Sequence, residues 1–590
     1  MANFNHQEFT PEFNRIRNKP VVLTGNDPDR LEQFPVDPEF PYRPIHYGYH
    51  TVVAKGAFPD VTFGIYVAST MRPSGFSTYV FLDKGQDPKT FFEAAPWKEA
   101  LEKYKCSAVF IAPDGDWDIE NPGKAIEYAR QVLEKGTDNE YFGGNADACS
   151  CIGFGSGAYI ASLYSILYSR RIAAFAADGD FSAFTQEVAA AAGDLPTDTD
   201  PWTLKKDNPV PAWIIDRNGS GSLLLDFMKH ANKAREDGLY NDAAKVWLQK
   251  PDSGELFLNT QAVAQTWYTD KQEMSFEEQI DKMLAFVTNF HRWGDINNGA
   301  LRNTRTEEDY GLIRKDIVVD GRKRYFFVYE PKAYKNDPDK KNWPLVVAIH
   351  GFSCTGHFYA ENSNWTAVAE QRGFLLVFPT AYPEVNKRSK ILRPLEITPL
   401  PAWNSSVEYK DDQAPQELHY FEKLFEIVES EYRVCPERIY VSGHSNGSQM
   451  TQYLMRFMPK KFAAWAPIGL VDNFAGEYAL PDDGITRPVW YYMGQYDIGE
   501  GWSLAEDSAN VATLKSLCAS NKADWEGAHK YESGIYKNTV CYNADHVPVV
   551  TFTGVEGWPH TVTPETSVKI WDEFFCKFRR KADGTSVYLG

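Results

Sequence analysis

Apolar and polar residues alternate through "IRKDIVVDGRKRYFFVYEP", Ile313 to Pro331, on both sides of Asp320-Gly321. That pattern predicts two antiparallel strands joined by a two-residue turn. A lysine- and proline-bearing loop follows, and then the period changes. "LVVAIHG", "FLLVFPT", "RIYVSGHS" and "PVWYYMGQYD" are short, nearly continuous apolar runs, the pattern of strands buried on both faces. Between them "WTAVAEQRG", "QELHYFEKLFEIVESEYRV" and "GSQMTQYLMRFMP" carry apolar residues at helical spacing, and "PETSVKIWDEFFCKF" predicts an amphipathic helix near the C-terminus. Strands alternating with helices predict an α/β fold with a mostly parallel sheet flanked by helices.

The first half repeats this order. "STYVFLDKG" stands where "PLVVAIHG" stands, and "PWKEALEKYKCSAVFIAPDGD" echoes "NWTAVAEQRGFLLVFPTAY", with Trp97 matching Trp365. "NPGKAIEYARQVLEKG" replaces the long helix, and "CIGFGSGAYI" matches "VSGHSNGSQM". "PVPAWIIDRNG" parallels "RPVWYYMGQ", with Trp213 matching Trp490, and "SFEEQIDKMLAFVTNF" parallels the C-terminal helix. The expectation is an internal duplication of about 290 residues, with domains over 1–300 and 301–590 and a polar linker from Gly294 to Gly311. Two α/β domains of unrelated origin are the alternative.

With 590 residues and 43% hydrophobic content, each half can bury a core. A formal net charge of −19 argues against nucleic acid or an anionic membrane as partner. The first twenty residues carry no apolar run or cleavage signature, and no window of about 20 apolar residues exists. The eight cysteines show no metal-type clustering. The expectations are a cytoplasmic protein without metal or cofactor, whose partner is a small or oligomeric substrate and whose N-terminal domain serves bracing, cleft-walling or homo-oligomer contact.

A serine hydroxyl attacks a carbonyl only if a base takes its proton and donors hold the oxyanion that forms. Gly443-His444-Ser445-Asn446-Gly447 fits G-x-S-x-G between a predicted strand and a predicted helix. The glycines permit a sharp turn that presents Ser445 at the top of the sheet. In folds with this turn the acid and then the histidine follow in the chain. Asp497 ends a buried strand, and His560 in "VEGWPHTVTPE" precedes the last helix. His529 and His546 also follow the acid but occupy a polar insertion and a strand entry. The oxyanion donors are expected to be the N–H groups of Asn446, after the nucleophile, and Phe352, in the loop "AIHGFSCTG", with His350 supporting that loop. Aromatics near the expected cleft, Tyr382, Trp403, Trp502 and Trp558 foremost, are candidate contacts for an aromatic acyl group or a sugar ring.

"PLVVAIHG", "NWTAVAEQRGFLLVFPT", "AWN", "RIYVSGHSNG" and "VEGWPHTVTPE" resemble the family of poly(3-hydroxybutyrate) depolymerases and related feruloyl and acetyl esterases, from about Asp316 to Phe578. The resemblance implies an α/β-hydrolase fold and carboxylic ester hydrolysis by a Ser-Asp-His triad that maps onto Ser445, Asp497 and His560. Two departures lie where substrate binds. Ala402 precedes Trp403-Asn404 where many members have cysteine, and Gly557-Trp558-Pro559-His560 replaces a glycine-rich loop. The expected substrates are feruloyl or acetyl esters of plant-derived carbohydrate. Short hydroxyalkanoate oligomers, an oligopeptidase-type serine peptidase and a non-catalytic scaffold are the alternatives.

The first half lacks each catalytic feature. Gly155 stands at the nucleophile position, Asp83-Lys84 is aligned with His350-Gly351, the acid position falls near Gly219-Ser220, and the histidine position near Gln272. It is expected to be a catalytically inactive copy.

Overall fold

The computed structural model describes residues 21–24, 48–54, 61–71, 75–113, 115–136, 144–197, 203–250, 262–270, 274–292, 301–304, 306–352, 354–384, 400–405, 415–562 and 565–590. The chain divides into two compact units that meet between Thr304 and Arg305. Leu301–Asn303, inside the stretch expected to be linker, is a strand paired antiparallel with Phe290–Arg292 in the first unit. Leu301 and Arg302 are buried there, which a polar-looking sequence hides.

The central strands of the first unit are β1 (Gly48–Ala54), β2 (Val61–Val67), β3 (Gly75–Phe81), β4 (Cys106–Ile111), β5 (Gly144–Gly155), β6 (Ile172–Gly179), β7 (Ala212–Asp216) and β8 (Gln265–Thr269). Those of the second are β9 (Leu312–Val319), β10 (Arg322–Tyr329), β11 (Trp343–Ile349), β12 (Leu375–Pro379), β13 (Val434–His444), β14 (Ala464–Ile468), β15 (Val489–Tyr496) and β16 (Pro548–Pro559). The first sheet runs β1-β2-β4-β3-β5-β6-β7-β8, and the second β9-β10-β12-β11-β13-β14-β15-β16. In each, the first two strands join antiparallel and the rest run parallel. Each also extends past its last central strand through an antiparallel hairpin that precedes that strand in the chain: Leu239–Tyr240 with Lys245–Leu248, and His529–Ser533 with Tyr536–Tyr542. The first sheet carries one further strand, Val21–Thr24, antiparallel beside β1; apart from it the fold is two tandem α/β-hydrolase-like sheets of the same topology.

Buried side chains repeat the correspondence. The Trp213 indole donates to Thr269 Oγ1 at 3.0 Å, and the Trp490 indole donates to Thr553 Oγ1 at 2.7 Å. The Trp117 indole donates to the Leu82 carbonyl at 2.8 Å, and the Trp403 indole to the His350 carbonyl at 2.9 Å. All four tryptophans are buried.

Local chemistry explains the element ends. Asp320 and Gly321 both take positive φ, 49° and 77°, the two-residue turn that suits the twist of β9 and β10. The helix Trp365–Arg372 stops at Gly373, whose φ of 73° a side chain would strain. The C-terminal segment is less regular than its pattern predicts: Thr566–Lys569 is α-helical, Ile570–Phe574 a π turn and Phe575–Lys577 a 3-10 turn. The wider turn lets three large side chains face the sheet. Trp571 stacks on Phe374, Phe574 meets Trp490 and Phe575 stacks on Tyr440.

After β13 the chain doubles back into the helix Asn446–Phe457 so closely that Gly447 touches the end of β11. A Cβ at Gly447 would lie 2.6 Å from the His350 carbonyl oxygen and collide with that of Ile349, both main-chain atoms that cannot swing aside. Gly447→Ala is expected to destabilise the second unit by about 1–3 kcal/mol or more, read as a lower denaturation midpoint at unchanged slope.

Candidate active site

Ser445 sits at the apex between β13 and its helix with φ 57° and ψ −119°. A non-glycine residue there is strained, and the strain is held by packing on both sides. The Ser445 N–H donates to the Ile468 carbonyl at 2.9 Å, which ties the apex to β14. Gly351 lies against it: a Cβ on Gly351 would be 3.3 Å from the Ser445 Cβ.

Asp497 follows β15 with its side chain 1% exposed. Its Oδ2 accepts the Gly494 N–H at 3.1 Å and its Oδ1 the Ile498 N–H at 2.9 Å. Oδ1 also accepts from His560 Nδ1. The proton of that bond belongs to His560 Nδ1, so Nε2 keeps its lone pair and can accept another. His560 stands in the bend just past β16. Its ring centroid is 4.6 Å from that of His444, the residue before Ser445. No hydrogen bond joins the Ser445 hydroxyl to His560 among the described contacts.

Gly469, at φ 78°, makes room for both rings: a Cβ there would be 3.1 Å from His444 Nε2 and 3.1 Å from His560 Cε1. Burial, and secondarily the neighbouring His560, push the His444 imidazole well below its usual range, so it is neutral.

The loop after β11 is held by His350. The Ala381 N–H donates to His350 Nε2 at 3.0 Å, which leaves the proton on Nδ1, and Nδ1–H donates to the Gly351 carbonyl at 2.6 Å. Burial, with the Arg324 charge adding to it, pushes the imidazole down to about 3 and keeps it neutral. In a trans peptide C=O and N–H point in opposite directions. Fixing the Gly351 carbonyl therefore fixes the Phe352 N–H on the other side of the peptide plane.

Trp403 ties this loop to the helix. Its indole holds the His350 carbonyl, its N–H donates to Asn446 Oδ1 at 2.7 Å, and its carbonyl accepts from Asn446 Nδ2 at 3.2 Å. At 3% exposure it has no open ring face, so the structure makes it a brace rather than the substrate contact the sequence suggests. An aromatic next to asparagine reads equally as cleft or core. The role of the Asn446 side chain, missed in the sequence, is legible only once Trp403 is seen beside it.

The other expected contacts are scattered. Trp502 lines a cavity of about 320 Å³ with Tyr531 and Lys537 of the outer hairpin and Phe552 of β16, and Ser445, Asp497 and His560 are absent from its lining. Tyr382 lies under the Arg322 guanidinium, 4.8 Å from its ring centroid, in a crevice shared with Arg324, Asn404 and Glu417. Trp558, two residues before His560, keeps its indole N–H buried without a hydrogen-bond partner.

In the first unit Gly155 has φ 56° and ψ −124°, within a few degrees of Ser445. The same elbow geometry occurs there with glycine at its apex. The strand pairing moves the neighbouring loop by one residue from the sequence expectation. Phe81 pairs with Gly153 as Ile349 pairs with Gly443, so Leu82 answers to His350, Asp83 to Gly351 and Lys84 to Phe352. The acid position, Gly219-Ser220, lies in a turn capped by Asp216, whose Oδ1 accepts both N–H groups. Gln272 lies outside the described residues.

Among curated proteins, the chain is 25% identical over 198 residues to a bifunctional acetylxylan esterase/xylanase, XynS20E, of Neocallimastix patriciarum, covering 34% of this chain and 25% of that protein. It is 30% identical over 129 residues to poly(3-hydroxyalkanoate) depolymerase C of Paucimonas lemoignei, covering 22% and 28%. The chain thus spans about a quarter of the length of these relatives. Among solved structures, an acetyl xylan esterase from Aspergillus awamori matches 45% of this chain and 99% of its own at 17% identity and a TM-score of 0.33. Residues 319–520, the span that holds Ser445 and Asp497, match the family model described as "Putative esterase".

Proposed function

We propose that the second unit is a serine carboxylic ester hydrolase working through an acyl-enzyme. The observation that carries this reading is the strained Ser445 elbow beside a His560 whose Nδ1–H is fixed by buried Asp497. Ser445 Oγ attacks the ester carbonyl as His560 Nε2 takes its proton, and Asp497 stabilises the imidazolium. The N–H groups of Asn446 and Phe352 receive the oxyanion. His560 returns the proton to the departing alcohol, and a water activated by the same histidine releases the acid.

The family match supports ester hydrolysis, and relatives whose names specify acetylxylan support an acetyl group on a plant-derived carbohydrate. Neutral His444 backs His560 without competing for its proton. The 30% identity to a poly(3-hydroxyalkanoate) depolymerase favours hydroxyalkanoate oligomers as a second reading. Turnover of acetylated xylo-oligosaccharide, methyl ferulate, a 3-hydroxybutyrate dimer and an aminoacyl anilide separates these readings. Hydrolysis of the anilide alone overturns the esterase assignment.

Three outcomes follow from the geometry. Ser445→Ala and His560→Ala should each lower kcat by roughly a thousandfold or more with the fold intact, and Asp497→Asn somewhat less; steady-state assays with circular dichroism check both parts. The acid limb of kcat/KM against pH should fall as the base is protonated and fit a single proton. Histidines 350 and 444, both held neutral by burial, add none between about pH 5 and 8; a two-proton limb contradicts this. Trp403→Phe keeps an aromatic ring, though a smaller one, and removes the indole N–H that holds the His350 carbonyl. It should lower kcat roughly 10- to 100-fold with little change in KM, read by the same assays.

A further inference from the structure

The two elbows differ by an exchange of side chains. In the second unit the elbow carries Ser445 and the facing loop carries Gly351; in the first the elbow carries Gly155 and the loop carries Asp83. The Asp83 carboxylate occupies the place that a side chain at the first elbow would take, and in the second unit the two Cβ positions would be only 3.3 Å apart. A Cβ on Gly155 would fall within the Asp83 carboxylate, 2.6 Å from Oδ1.

The Asp83 carboxylate has a definite seat. Its Oδ1 accepts the Ser156 N–H at 2.8 Å, the Ser156 hydroxyl at 2.7 Å and the Lys84 N–H at 2.9 Å. The Lys84 N–H is shared with Ser156 Oγ at 3.1 Å. Ser156 follows the elbow residue as Asn446 follows Ser445, and Lys84 answers to Phe352. The two main-chain donors that meet on Asp83 Oδ1 are therefore the counterparts of the pair proposed to receive the oxyanion in the second unit. They come from two elements, a helix start and the loop after β3, and a helix N-terminus alone would supply only one of them.

We propose that the first unit keeps an intact anion hole, made by the Lys84 and Ser156 N–H groups, whose permanent ligand is the carboxylate of Asp83, and that removing Asp83 opens this hole to a small free carboxylate such as formate. The comparison with an oxyanion hole rests on the reading of the second unit given above; the anion binding itself does not. Burial pushes the Asp83 carboxyl up, but the bonds from Ser156 and Lys84 outweigh it and hold the group below its usual value, as expected of an anion in a fitted site. An acyl carbonyl cannot enter while Asp83 is there. A serine placed at position 155 meets the carboxylate before it meets any substrate.

The test is differential scanning calorimetry of the full chain, wild type and Asp83→Ala, in sodium formate and in sodium chloride of equal ionic strength. Ester turnover by the second unit is followed in parallel, and its loss or retention bears only on the esterase reading. Asp83→Ala is expected to melt below wild type in chloride, and formate is expected to restore most of the difference while leaving wild type unchanged. Equal formate effects on both proteins, or no loss of melting temperature in Asp83→Ala, overturn the proposal. A double-mutant cycle adds a steric readout: Gly155→Ala should destabilise wild type strongly and the Asp83→Ala background little, and equal costs in the two backgrounds overturn the seat assigned to Asp83. Should Asp83→Ala not fold, Asp83→Asn, which fills the hole with a neutral oxygen, is expected to melt below wild type; wild-type melting of that variant overturns the proposal.

Discussion

A backbone forced into positive φ at one residue organises the top of the second sheet. Ser445 at φ 57° turns β13 straight into a helix, and the turn is tolerated because nothing larger than hydrogen stands at Gly443 and Gly447. With Gly447 against the Ile349 and His350 carbonyls, the helix start sits directly beside the end of β11. That closeness puts the Asn446 N–H and the loop after Ile349 on the same side of Ser445. The proposed oxyanion hole is a by-product of how tightly the elbow closes.

Neutral, buried groups keep that arrangement from relaxing. His350 fixes one peptide by donating to its carbonyl, and Trp403 fixes the neighbouring carbonyl and the Asn446 amide together. Each bond lies in the core, where an unpaired partner is expensive, so the network holds or fails as a whole. The same indole-to-carbonyl bond persists in the first unit, from Trp117 to Leu82, although no proposed chemistry depends on it there. Its presence in both units marks the brace as part of the fold.

Much of this could be read from residues alone. The period change after Pro331 marks the strands, Asp320-Gly321 the hairpin, and G-x-S-x-G the elbow, while the downstream acid and histidine are the two side chains that the structure joins. What escaped had physical causes. Sequence alone sets Asp83-Lys84 one residue out, because glycine and aspartate carry no period and only the strand register fixes their partners. Trp117 went unmatched with Trp403 because the loops before them differ greatly in length, six residues beyond β4 in one case and far more beyond β12 in the other. Trp403 itself looked like a cleft aromatic, since sequence does not say which way a ring faces. Leu301–Asn303 is too short and too polar to show as a strand without its partner at Phe290–Arg292.

The exchange of side chains across the elbow also limits how one unit's sequence can be changed into the other's. Of the four pairings of elbow and loop residue, serine with glycine and glycine with aspartate both fit, and glycine with glycine leaves an empty space. Serine with aspartate sets a new side chain against the seated Asp83 carboxylate. On the reading proposed above, a serine at position 155 therefore gains nothing while Asp83 keeps its seat, and the positions aligned with the acid and the histidine hold Gly219-Ser220 and Gln272. No single substitution turns the first elbow into the second.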